Sequence, residues 1–267
     1  MKRIQMNPSL PVESNAIDAQ PRSGEGLDRY VAAILALQHE VITAQRDKLI
    51  RLAGTLAEAV QRDRRIFLFG TGHSHLLAEE GHFRAGGLAN VVPILSPGLM
   101  LHEGAIRSAQ LERQTGLAAA LLDRYQPQPG EVIFIFSNSG VNVVPVEMAL
   151  AAKARGLITI AVCSMRYARQ AALSGAGRRL YEVADDVLDN GGEPGDSLIP
   201  IEGAAHRVGP SSTIVGALIW NALITEVVFQ LQARSIDAPV YVSSNLPGAA
   251  ERNAALLGKW RPFNPHL

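Results

Sequence analysis

Apolar residues fall into two rhythms along the chain. Between Leu27 and about Asp63 they recur at helical spacing. Leu49, Leu52, Ala53, Leu56 and Val60 stand at i, i+3, i+4, i+7 and i+11, one face of a helix. A single helix over that stretch would be about 50 Å long at 1.5 Å per residue. The pattern therefore predicts either two helices or one long helix that pairs with a second copy. After Arg65 the rhythm becomes short apolar runs ending in glycine, serine or asparagine. Residues 66–69, 91–95, 132–136 and 157–162 read as buried strands, with 186–188 as a weaker fifth. Helical patterns at 76–85, 115–125, 143–155 and 213–233 alternate with them. Near-continuous apolar strands alternating with helices predict an α/β fold, a three-layer, doubly wound five-stranded parallel sheet with an N-terminal helical arm. Residues 1–26, with Pro8, Pro11, Pro21 and Gly24 in polar company, read as a loose arm. Residues 27–236 form the expected domain, and 237–267 a C-terminal extension.

Composition narrows the class. Charged residues are 19% and hydrophobic ones 47% of 267, which excludes a disordered chain. Twenty-five basic residues balance twenty-five acidic ones, so no global field favours nucleic acid or an anionic membrane, and neither is expected as a partner. The single cysteine, Cys163, excludes an internal disulfide and a multi-cysteine zinc site, and reads as a small buried residue rather than a nucleophile. Residues 208–225 are uncharged, but Gly209, Pro210, Ser211, Ser212, Thr213 and Asn221 make them a poor bilayer span. Met1-Lys2-Arg3 is followed by Gln5, Asn7, Pro8 and Pro11 rather than an apolar run. The expectation is a cytoplasmic protein.

Three turns could hold an anion. The first strand ends in Gly70-Thr71-Gly72-His73-Ser74 and runs directly into a helix. Two glycines allow a tight turn and close backbone approach, and the helix start offers free N–H groups. A dinucleotide fingerprint would want glycine where His75 stands and an acid where Asn90 stands, and the Gly-Lys-Ser/Thr of a P-loop is absent. The third strand ends in Ser137-Asn138-Ser139-Gly140-Val141-Asn142, with Pro145 in the first turn of the next helix. An ordinary N-cap needs only one of these polar groups. Pro210-Ser211-Ser212-Thr213 precedes an apolar helix, and there capping explains most of the signal. In a flavodoxin-like order, 2-1-3-4-5, strands 1 and 3 are neighbours at the switch point, so the first two turns would face one pocket. A hydroxyl-rich pocket on helix N-termini suits a phosphate carried by a polyol.

These segments, Phe67 through Ser74, Val132 through Asn142 and Gly209 through Thr213, resemble the sugar isomerase (SIS) domain family of phosphosugar-binding proteins over roughly residues 30–235. The run His73-Ser74-His75-Leu76-Leu77-Ala78-Glu79-Glu80 is similar to that of uncharacterised stand-alone bacterial members. The resemblance implies a five-stranded parallel sheet, a homodimer, and a site partly completed by the partner subunit. It also implies that Gly72, His73 and Ser74 contact the sugar or phosphate, and that the serine-rich loop of Ser137, Asn138 and Ser139 holds the phosphate. Asn142 stands where the family's pattern has threonine. Ser211, Ser212 and Thr213 complete the expected phosphosugar-binding set.

Aldose–ketose isomerisation needs a general base near the carbon between the two oxygens and an acid that moves protons on oxygen. His75, Glu79 and His82 fall at i, i+4 and i+7 with Glu80 beside them. Glu80 and Glu79 lead the catalytic candidates, although acids early in a helix also answer its dipole. His206, shortly before the third turn, and Glu112 follow. Glu112 lies with His102 and Glu103 in a region that, by the resemblance, often carries an acid. His75, Glu79 and His82 could instead hold zinc. The resemblance brings zinc into view through phosphoheptose isomerases, whose ligand spacing is not reproduced here, and no cofactor is expected. The reading is an aldose–ketose isomerase for a sugar phosphate or amino-sugar phosphate. Its rivals are a non-catalytic phosphosugar sensor, and a lyase, etherase or deaminase acting through an enolate.

Overall fold

The computed structural model describes residues 23–267, so most of the expected arm lies outside the described residues. Helix α1 begins at Glu25 and continues without a break to Gln61, 37 residues and about 55 Å. The stretch is one long helix rather than two. The elements that follow are β1 (Ile66–Gly70), α2 (His75–Glu80), β2 (Val91–Pro93), α3 (Ala105–Leu111), α4 (Leu117–Asp123) and β3 (Val132–Phe136). After them come α5 (Val143–Ala154), β4 (Ile158–Cys163), α6 (Met165–Gln170), α7 (Leu180–Val183) and β5 (Asp186–Asp189). The chain ends with β6 (Ser197–Pro200), β7 (Arg207–Pro210), α8 (Ser212–Ala233) and α9 (Ala249–Trp260).

The five strands pair in the order β2-β1-β3-β4-β5, all parallel, as predicted. Register runs straight across the sheet, Ile66 opposite Val132 and Ile133 opposite Thr159. Side chains alternate between faces. Ile66, Leu68, Phe134 and Phe136 pack with Leu52 and Leu56 of α1 and Ile219, Trp220 and Leu223 of α8. Phe67, Phe69, Ile133 and Ile135 pack on the other face with Leu122 of α4 and Met148 of α5. Both faces are covered, which is why the strands read as continuous apolar runs. Each fully buried side chain of this kind contributes about 1.5–3 kcal/mol. Helix α8 is the one helix among the described residues long and apolar enough to cross a bilayer, with mean hydropathy 1.7. Here it is the helix packed against α1, burying Val215, Ile219, Trp220, Leu223 and Val227.

Helix α2 stops five residues short of the predicted 76–85. Gly81 lies against Leu68 and Trp220, so close that a Cβ there would fall 2.2 Å from Leu68 Cδ1. The chain then turns through Phe83 at φ 42°. The short α3, α6 and α7 and the antiparallel β6–β7 hairpin were not predicted.

The segment after α8 pairs with residues 86–89, which lead into β2. Gly86 N–H donates to Tyr241 O at 2.8 Å, Ala89 N–H to Pro239 O at 2.7 Å, and Tyr241 N–H to Gly87 O at 3.0 Å. At the amino end of the sheet, the buried Arg65 grips Glu131 through Nε to Oε1 (2.7 Å) and Nη2 to Oε2 (2.8 Å). The same guanidinium donates to the carbonyls of Tyr125, Gln126 and Phe263. One buried cation thus ties the last residues of the chain to the sheet.

Candidate functional site

The carboxyl ends of β1 and β3 are adjacent, and above them opens a cleft of about 1000 Å³. Its first wall is the turn after β1. Gly70 is required there, because a Cβ would sit 2.3 Å from Ser74 O, and Gly72 takes φ 56°. Thr71, Gly72, His73 and Ser74 line the cleft. The second wall is the turn after β3, from which Ser137, Asn138, Ser139 and Asn142 line it. Asn142 holds the N-cap place of α5 in an extended conformation, yet its side chain caps nothing. Ordinary capping therefore does not account for it. Asn138 Oδ1 accepts from Asn190 Nδ2 at 3.0 Å, while its own Nδ2 is buried without a partner. The start of this 12-residue helix, whose dipole adds about half a positive charge, suits an anion.

The third turn is placed differently. Asp196 reaches it from the loop before β6. Its Oδ1 accepts from Ser211 N (3.1 Å), Ser211 Oγ (3.1 Å) and Ser212 N (2.8 Å), and its Oδ2 from Ser212 Oγ (2.6 Å). The start of α8 is thus occupied by a carboxylate from this chain. Ser212 lines the cleft, whereas Ser211 is buried beneath it and Thr213 lies outside the lining. Asp196 itself, with Arg113 and Tyr167, lines the cleft and was missed by the sequence reading. The only signal available for Tyr167 was its place after the carboxyl end of a parallel strand.

Of the acid–base candidates, Glu112 lies in the cleft. Thr71 Oγ1 donates to its Oε2 at 2.7 Å and Arg113 Nη1 to its Oε1 at 3.0 Å, which fixes the carboxylate in one orientation. Glu80 is outside the lining, paired with Arg84 and accepting from Asn221 Nδ2 at 2.9 Å. Glu79 is also outside it, 3.2 Å from Nδ1 of the buried His75. His206 is exposed in the β6–β7 connection.

His75, Glu79 and His82 do not fit a zinc ion. Glu79 is engaged by His75 Nδ1, and His82 has left the helical face and sits edge-on to His266. Among the described residues no group of three His, Cys, Asp or Glu side chains is arranged to hold a metal. Burial lowers the pKa of His75, against the pull of Glu79, and burial likewise lowers those of His82 and His266. Cys163 is buried, and burial with Asp189 nearby pushes its thiol up to about 12, a poor nucleophile.

Comparison with known proteins follows the same outline. A sequence profile of the SIS domain matches residues 29–164. A UPF0309 protein of Brucella abortus (strain S19) is 43% identical over 244 residues, covering 90% of this chain and 98% of its own. A UPF0309 protein of Brucella anthropi is 40% identical over 240 residues, covering 90% and 98%. Among solved structures, phosphoheptose isomerase GmhA from Neisseria gonorrhoeae superposes with a TM-score of 0.51 at 16% identity, covering 77% of this chain and 98% of its own. The phosphoheptose isomerase of Francisella tularensis gives 0.52 at 15%, covering 78% and 98%. The Vibrio vulnificus NanR protein, complexed with ManNAc-6P, gives 0.51 at 13%, covering 88% and 69%. At such identities the superpositions establish the shared fold.

Proposed function

The chain belongs to the SIS-domain family, and on that premise we propose that its cleft binds a phosphorylated sugar or amino sugar and shifts the carbonyl between C1 and C2. One observation carries this reading. Two donor-rich turns from neighbouring strands converge in one cleft with an oriented carboxylate, Glu112, while the cleft's other carboxylate, Asp196, is spent on the start of α8. In this reading the phosphate sits on the loop of Ser137, Asn138, Ser139 and Asn142 that leads into α5, where neutral donors and the helix dipole meet it. The turn Gly72-His73-Ser74 takes the sugar hydroxyls. The Glu112 carboxylate removes the proton from the carbon beside the carbonyl. The resulting carboxyl group, its proton exchanging with solvent, gives a proton to the neighbouring carbon after another has moved between the two oxygens, so no atom is gained or lost. The protein works in this reading as a cytoplasmic homodimer. In this reading Ile106, 78% exposed on α3 beside the cleft-lining Ala105, belongs to the face that a second copy covers.

The test is proton NMR in deuterated water with hexose, pentose, heptose and amino-sugar phosphates. Deuterium should enter C2 of one class, and Glu112→Gln should slow that exchange by about 10²–10⁴-fold, the usual worth of general acid–base catalysis. Affinity for the same compound should stay within a few-fold. Full exchange in Glu112→Gln removes Glu112 from the reaction. Tight binding without exchange in the unmodified protein refutes the isomerase and favours a sensor, and release of a leaving group favours a lyase or etherase.

A further inference from the structure

Two walls of the cleft are built on helix starts, and they carry opposite charge. Where α5 begins, the loop of Ser137, Asn138 and Ser139 adds neutral donors to the helix end's positive charge of about one half. Where the 22-residue α8 begins, a similar half charge meets a full negative one, because Asp196 accepts from Ser211 and Ser212 there. The first wall attracts an anion and the second repels one.

The two walls are close neighbours. A Cβ on Gly192 would stand 3.4 Å from Ser211 Oγ and 3.5 Å from Asn138 Oδ1, so both turns converge on one point. Nothing in the lining cancels Asp196. Apart from His73, the charged residues of the cleft are Glu112, Arg113 and Asp196, and the first two pair with each other at 3.0 Å. Asp196 makes no ion pair with any described residue. Its oxygens are also unequally used. Oδ1 accepts from Ser211 N, Ser211 Oγ and Ser212 N, whereas Oδ2 accepts only from Ser212 Oγ at 2.6 Å. Oδ2 therefore has room for a hydroxyl donor. A negative acceptor of this kind takes a sugar hydroxyl and turns away a second phosphate.

We propose that Asp196 is the specificity-determining residue of the cleft. It directs the unphosphorylated end of a sugar monophosphate toward α8 and excludes sugars phosphorylated at both ends. This rests on the phosphate lying on the loop that leads into α5.

Calorimetric titration with fructose 6-phosphate and fructose 1,6-bisphosphate tests the proposal, because the two probes share one sugar and differ by the second phosphate. The unmodified protein should bind the monophosphate more tightly, by about tenfold or more. Asp196→Asn, which keeps the shape and removes the charge, and Asp196→Ala should each shrink that preference by about tenfold. A merely structural role would weaken both probes alike and leave their ratio in place. A ratio unmoved in both variants, or a preference for the bisphosphate in the unmodified protein, would overturn the role of Asp196 alone. The phosphate position has its own control, since Ser137→Ala with Ser139→Ala should weaken both probes. Fructose 6-phosphate that fails to bind, or binds indifferently to that pair of changes, would remove the phosphate from the loop and the inference with it.

Discussion

Replacing Asp196 by alanine removes four hydrogen bonds from the start of α8 in a single step. Losing an N-cap acceptor costs about 0.5–2 kcal/mol. Losing a negative charge at a helix start adds about 0.3–1 kcal/mol. Asp196 also stands at φ 60°, in the left-handed region that Asp and Asn tolerate better than alanine. Together these give a loss of roughly 1–3 kcal/mol. At about 2–4 °C per kcal/mol for a domain near this size, Tm should fall by roughly 2–12 °C. Asp196→Asn keeps an acceptor and the shape but loses the charge, so it should fall between the wild type and Asp196→Ala. Differential scanning calorimetry without phosphate reads the ranking. A second arm adds inorganic phosphate. With Asp196 gone, the amides of Ser211 and Ser212 become free to take an anion, so phosphate should raise the Tm of Asp196→Ala more than that of the wild type. An Asp196→Ala protein melting within 1 °C of wild type would refute the idea that this carboxylate fills the helix start.

Three further outcomes are expected. Burial holds His75, His82 and His266 below the ordinary histidine pKa, so the unfolded chain takes up protons first as pH falls through about 6.5. Stability should therefore fall from pH 7.5 toward pH 5.5, with His75 giving at most about 1.4 kcal/mol per pH unit. Urea midpoints across that range check it, and a flat profile, or a slope unchanged in His75→Leu, would contradict it. Gly81→Ala should cost about 1–3 kcal/mol by overpacking against Leu68 and Trp220, read as a lower urea midpoint at unchanged slope. Cys163 should resist alkylation in the native protein at pH 8 and react fully in urea. Rapid native labelling would mean that the site opens.

The sheet was legible because both its faces are covered. Phe67, Phe69, Phe134 and Phe136 are buried whichever way they point, and an uninterrupted apolar run is the sequence image of that. The two turns after β1 and β3 were legible for a related reason. Their glycines and hydroxyls cluster where a parallel strand ends, and strand order alone makes them neighbours. The candidate chemistry on α2 was harder to judge, because an i, i+4, i+7 count assumes that the helix continues. It does not, since Gly81 is pinned between Leu68 and Trp220, both distant in sequence, and His82 is carried off the face. The third turn hid its partner in the same way. Ser211 and Ser212 look open for a ligand until Asp196, 15 residues earlier, folds back onto them. The β6–β7 hairpin and α9 left little trace, one having only Ile199 buried in its strands and the other only Ala249 and Trp260.

The pairing of residues 239–241 with residues 86–89, and of Asn264 with Val91, also sets an order of events during synthesis. All five strands of the sheet have left the ribosome before Pro239, Tyr241 and Asn264 are made. Until then the amides of Gly86 and Ala89 and the carbonyl of Val91 are open to any other strand. The nascent protein therefore passes through a stage that can recruit a neighbouring chain by edge pairing, and its own last segment ends that stage. A mutation in that segment would surface first as inclusion bodies, well before it disturbed the cleft on the opposite end of the strands.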